Sequence, residues 1–112
     1  MAGTIKRIFG PLALTTTLTT NLYNNTSALI YDVIKHIHIA NKTGSAATFS
    51  LWLGATGANA AGTELFTGVS IAANDYFDWY GNMKMTSTDF LVGGAGTLTA
   101  LTITGMGEQY VV

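Results

Sequence analysis

The sequence predicts an all-β chain, folded as an antiparallel β-sandwich of jelly-roll type. Three observations predict it. Apolar and polar residues alternate with a period of two over long stretches, which is the period of a strand. The other apolar runs are short and divided by Gly, Asn, Asp and Ser, the pattern of a fold with many short strands. No segment presents an apolar stripe at helical spacing with caps.

From Leu12 to Leu22 the even positions read Leu12, Leu14, Thr16, Leu18, Thr20 and Leu22, with Thr and Asn filling most positions between them. One face is therefore expected on a core and the other outward. A second strand is expected over Ala28–Ala40. Leu29, Tyr31, Val33, Ile37 and Ile39 fall on one face and Ile30, Asp32, Ile34, His36 and His38 on the other. Its β-branched residues and two partly apolar faces predict a central position. Turn residues Asn41 to Ser45 then predict a hairpin into the alternating run Ala47–Leu53. The small residues of Gly54–Gly62 read as an exposed loop. Short strands follow at Glu64–Ile71, Tyr76–Tyr80, Met83–Met85, Phe90–Val92 and Thr97–Met106, with turns at Ala73-Asn74-Asp75, Gly81-Asn82, Ser87-Thr88-Asp89 and Gly93-Gly94-Ala95-Gly96.

Composition limits the function. Only 10% of the residues are charged and 48% are hydrophobic, against roughly 25% charged in an ordinary soluble domain. The surface must be covered largely by Thr, Ala, Gly, Asn and Ser, a skin better suited to packing against other subunits than to a freely diffusing enzyme. Five Lys and Arg in total and a net charge of −1 give no basic cluster to attract phosphates, so no nucleic-acid partner is expected. Cys is absent, which removes disulfides, thiol chemistry and Cys-ligated metal. No stretch is long and apolar enough to span a membrane. Lys6 and Arg7 before an apolar run faintly mimic a secretion signal, but Gly10-Pro11 interrupts that run. Three glycosylation sequons, at Asn24, Asn25 and Asn41, are expected by chance in a chain this rich in Asn and Thr.

Candidate chemistry is sparse. His36 and His38 share a strand face with Asp32. Two His at this spacing occur in metal-binding β-barrels such as cupins, where a Glu a few residues downstream completes the set. Here Ile39–Gly44 supplies no acid and the next is Glu64, so no metal and no cofactor are expected and the pair reads as packed or interface histidines. Gly68-Val69-Ser70-Ile71-Ala72 approaches a hydrolase elbow, but nothing after Ser70 is helix-like. Asp75 and Asp78 read as solvated turn carboxylates with no cleft for glycoside hydrolysis. The run Gly93–Gly96 lacks the Lys-Ser/Thr and helix of a phosphate loop. No catalytic set converges, and no enzyme is expected. Trp52, Tyr76, Trp79 and Tyr80 offer a sugar-stacking platform or, equally, core and interface aromatics.

The first eleven residues are set apart as an N-terminal arm, with residues 12–112 as one sandwich domain. Ile5, Lys6, Arg7, Ile8 and Phe9 combine two cations with three large apolar side chains. Docked on a neighbour, the apolar three would each bury area worth roughly 1.5–3 kcal/mol before ordering costs. The competing reading is an edge strand of the chain's own sheet.

The segment His36-Ile37-His38-Ile39-Ala40-Asn41-Lys42-Thr43-Gly44-Ser45-Ala46-Ala47-Thr48-Phe49-Ser50-Leu51-Trp52-Leu53 resembles a group of small tailed-phage virion proteins. The resemblance continues through Val69–Asp75 and extends to Leu101–Gly105. It implies a β-sandwich that decorates a capsid, as a homo-oligomer such as a trimer bound to the major capsid protein, or that belongs to a tail, baseplate or fibre. It carries over no catalytic residue. A host-glycan-binding module is the alternative from a different class, and it would need an exposed aromatic groove beside polar residues.

Overall fold

The alternating segments form eight strands in the computed structural model, which describes residues 3–54 and 61–111. They are β1 (Thr4–Ala13), β2 (Asn21–Asn24), β3 (Ile30–Asn41), β4 (Ala47–Gly54), β5 (Glu64–Ile71), β6 (Tyr76–Met85), β7 (Phe90–Ala95) and β8 (Leu101–Val111). Two four-stranded sheets result, in the orders β1-β8-β3-β6 and β2-β7-β4-β5. Every neighbouring pair is antiparallel. The chain crosses between sheets after β1, β2, β3, β5, β6 and β7, which is the jelly-roll arrangement of an antiparallel sandwich. The predicted fold class is the observed one.

The core lies between the sheets. Leu14, Ile34, Ile37, Ile39, Phe49, Leu51, Met85, Leu91, Leu101 and Ile103 are fully buried there. Phe49, Phe66 and Phe77 form an aromatic trio with ring centroids 5.1 to 5.6 Å apart. It joins β4 and β5 to β6 of the opposite sheet, where tilted and edge-on rings interlock.

Several boundaries differ from expectation. The predicted arm is β1, paired with β8 from Thr4↔Gln109 to Ala13↔Thr102, so the division at residue 11 does not hold. Its Ile8 and Phe9 enter the chain's own core, while Ile5, Lys6 and Arg7 are exposed on the strand. Pairing with the distant β8 brings these two large apolar side chains over the space between the sheets, where the chain's own core covers them. The expected strand over 12–22 ends at Ala13. Thr15 and Thr20 instead use their carbonyls to accept from Ala95 N (2.8 Å) and Gly93 N (3.0 Å), lacing the crossing segment onto β7.

The Asn41–Ser45 turn does not close a hairpin, because β3 and β4 lie in different sheets. Buried Asn41 organises it: its Nδ2 donates to the carbonyls of Ser45, Ile71 and Ala72, and its Oδ1 accepts from Thr43. The two segments expected at 76–80 and 83–85 are one strand, β6, without a turn at Gly81-Asn82. Gly93 to Ala95 belong to β7. A Cβ on Gly93 would stand 2.4 Å from the Ser50 carbonyl oxygen and one on Gly94 would stand 2.6 Å from that of Thr15. These glycines permit close backbone approach and do not make a turn. The last strand begins at Leu101 and not at Thr97. Residues 55–60 of the expected Gly54–Gly62 loop lie outside the described residues.

Candidate functional site

A β-bulge decides what the outer face of the β1-β8-β3-β6 sheet presents. Between Ile34 and His36 the register of β3 shifts against both β6 and β8. An extra residue in one strand reverses the facing of everything beyond it. Asp32 and Ile34 therefore point inward before the bulge, while Ile37 and Ile39 point inward after it. His36 and His38 are left on the outer face, away from Asp32. The expected grouping of these three on one face is corrected by this bulge, where β3 advances from Ile34 to His36 while β8 advances only from Gly107 to Met106.

Strand β6 supplies the carboxylate in place of Asp32. Register pairs His36↔Tyr80, His38↔Asp78 and Ala40↔Tyr76 set the outward side chains of β6 beside those of β3. Asp78 Oδ1 lies 2.7 Å from His36 Nε2 and 2.7 Å from His38 Nδ1. For both contacts to be hydrogen bonds to this carboxylate oxygen, His36 donates from Nε2–H and His38 from Nδ1–H. Hydrogen bonding from His38, then from His36, holds the Asp78 carboxyl below its ordinary range. The three ligand-type atoms all lie within 4.8 Å of one another and are half-buried. Tyr80 stacks flat on His36, with centroids 4.5 Å apart and planes 3° from parallel. Tyr76 leans on His38 at 5.4 Å. Lys35 pairs with Glu108 at 3.3 Å and leaves Asp78 to its histidines.

Around the cluster the sheet face mixes aromatic, Thr and Met side chains with Arg7 and the Lys35–Glu108 pair. Thr102, Ala40 and Tyr76 form one cross-strand row, Thr104, His38 and Asp78 the next, and Arg7, Met106, His36 and Tyr80 a third. Tyr76 is 61% exposed, Tyr80 71% and Ile5 of β1 82%. Ile5, Met106 and Gly107 line a shallow groove with His36, Lys35 and Glu108.

Asp32 has a different role. Fully buried, it accepts from Tyr23 Oη (2.5 Å) on β2 and from Gln109 Nε2 (2.9 Å) on β8, clamping the second sheet to the first. Burial, then the hydrogen bond to Asp32 and its charge, push the Tyr23 hydroxyl well above the ordinary tyrosine range.

The remaining candidates are not brought together. Ser70 sits on β5, in the sheet opposite the two histidines that are the chain's full complement of His. Glu64, also on β5, accepts from Gly62 N. Asp75 stays in its turn and accepts from Tyr76 N. Trp52 is buried next to Val92, and Trp79 packs partly buried against the core, so neither joins the exposed platform. Asn25 and Asn41 of two sequons are buried and hydrogen-bonded, which withholds both side chains from modification. The alternation Tyr76, Asp78, Tyr80 was the available signal for Asp78. It shares a face with two aromatics, which a turn carboxylate does not.

No protein-family model matches the sequence, and no curated protein matches it. Among solved structures, the EclA C-terminal domain, a sugar-binding protein, is similar at 17% identity with a TM-score of 0.38, over 96% of this chain and 70% of that one. At that level the strand pairing described above, and not the likeness, identifies the fold.

Proposed function

We propose that this chain is a non-enzymatic structural protein of a phage virion, a capsid decoration subunit that reinforces contacts between capsid subunits. The observation that carries the reading is the outer face of the β1-β8-β3-β6 sheet: a broad surface of Tyr76, Tyr80, His36, Met106 and Thr side chains, with exposed Ile5 at its edge. Exposed aromatics and Met beside an exposed Ile are the side chains that interaction surfaces are enriched in, and here the central carboxylate, Asp78, is engaged by His36 and His38. The 10% charge content and the phage-virion resemblance of residues 36–53 support the same reading. The mechanism is mechanical. Each oligomeric copy bridges neighbouring capsid subunits and adds contact that must be broken before the shell ruptures.

Quantitative peptide counting on purified particles tests it. The expected level is comparable to that of the major capsid protein, because reinforcement has to repeat over the shell. A few copies lost together with tails would replace decoration by a tail, baseplate or fibre role. Absence from particles would refute both.

One feature favours a second reading, a host-glycan-binding module. Exposed Tyr76 and Tyr80 flank His36, His38 and Asp78, which places aromatic faces beside hydrogen-bonding groups as sugar recognition requires. Under that reading a glycan array gives a defined hit that Tyr80→Ala abolishes; under the decoration reading the array is blank.

A further inference from the structure

We propose that His36, His38 and Asp78 form a binding site for a divalent transition-metal ion of the zinc class. Donor type and convergence both point to it. Two imidazole nitrogens and one carboxylate oxygen, brought from adjacent strands to within 4.8 Å of one another, are the ligand set that zinc and its neighbours take in sites with an open position. Both nitrogens now meet the same oxygen at 2.7 Å. Ligand atoms on a tetrahedral ion with bonds near 2.1 Å stand about 3.4 Å apart, so the carboxylate has to back away by about 0.7 Å while the two imidazole nitrogens settle to the same spacing. Asp78 is a half-buried side chain on the sheet's edge strand, and a side-chain rotation supplies that movement. The ion then takes the place of the hydrogens between donor and acceptor, and each ring carries its remaining proton on the other nitrogen, His36 Nδ1 and His38 Nε2, with any second proton released to water.

The surroundings are arranged to hold the ligands in position. Tyr80 lies flat against the His36 ring and Tyr76 leans on that of His38, so each ligand ring is packed against an aromatic neighbour on one side. Lys35, the cation next to His36 in sequence, is engaged by Glu108 and does not compete for Asp78. Three protein ligands leave a tetrahedral ion one position facing away from the sheet, open to water or to a donor from a bound partner. The site lies on the outer face of the sandwich and not between its sheets, so it does not depend on the virion reading. It is tested on the free chain.

The chain, stripped with a chelator, is titrated with Co2+ alone and with Zn2+ alone. One Co2+ per chain is expected, with visible absorption bands from a low-coordinate site, and Zn2+ is expected to displace it and raise the Tm. Asp78→Asn and His38→Gln should each weaken Co2+ binding by more than about 100-fold, beyond the effect of losing an outer-shell partner. Their far-UV circular dichroism should be unchanged, and Asp75→Asn, in the nearby turn, should bind as the unaltered chain does. Absence of Co2+ bands up to millimolar metal would overturn the site and leave a hydrogen-bonded fork. Binding that persists at full affinity in both ligand variants would overturn it equally.

Discussion

Replacing Tyr23 with Phe removes one hydroxyl and leaves the ring in place, so it isolates the bond that clamps the two sheets. Asp32 is fully buried, and its two hydrogen-bond donors are Tyr23 Oη at 2.5 Å and Gln109 Nε2 at 2.9 Å. A hydrogen bond to a charged group contributes about 1.5–3 kcal/mol, and the loss is felt in full when the abandoned partner stays buried. For a domain of this size each kcal/mol moves Tm by roughly 4 °C, so Tyr23→Phe should lower it by roughly 6–12 °C. The ring's stacking on Phe9, at 5.7 Å, survives the change and does not confound it. Thermal unfolding followed by circular dichroism reads the single variant. A cycle with Asp32→Leu then assigns the loss to this pair, because Tyr23→Phe should cost little once the carboxylate is gone. A Tm drop under about 2 °C, or an equal drop in the Asp32→Leu background, would refute the clamp.

Three other outcomes follow from the same structure. The Tyr23 hydroxyl is pushed above its ordinary value, so its contribution is whole below about pH 10 and fades as pH rises toward the folded-state value; the Tm gap between the unaltered chain and Tyr23→Phe should therefore close in alkaline unfolding series, and a gap that stays constant to pH 12 would contradict this. Gly107→Ala should destabilise by about 1–3 kcal/mol or more in denaturant titration, because a Cβ there would stand 2.0 Å from the Val33 carbonyl oxygen across the β3–β8 pair; unchanged stability would mean that the strands are less closely apposed. Deleting residues 1–10 removes Ile8 and Phe9 from the core, each worth roughly 1.5–3 kcal/mol of buried area, and should leave a chain without a cooperative transition; a stable sandwich that merely failed to bind particles would restore the docking arm.

The sequence by itself determined the fold class and most strand positions. Glu64–Ile71 was legible to the residue, and Ala47–Leu53 nearly so, because a two-residue period and flanking turn residues are local properties. Partner choice was not local. Apart from β4 and β5, strands adjacent in the chain do not pair, and β1 finds β8 about a hundred residues away, so the Asn41 turn looked like a hairpin although it crosses between sheets. The arm was misassigned for the same reason, since nothing within residues 1–11 announces the distant strand that receives them. The candidate site shows the limit most sharply. Period-two counting carried Asp32 to the same face as His36 and His38, but one extra residue at the bulge turned Asp32 into the core and the histidines out. Asp78, forty residues from His38, then reached them through strand pairing. Side-chain identity can be read from a chain one residue at a time. Which donors converge on a point is set by register, and register is fixed only when both sheets bury their inner faces together.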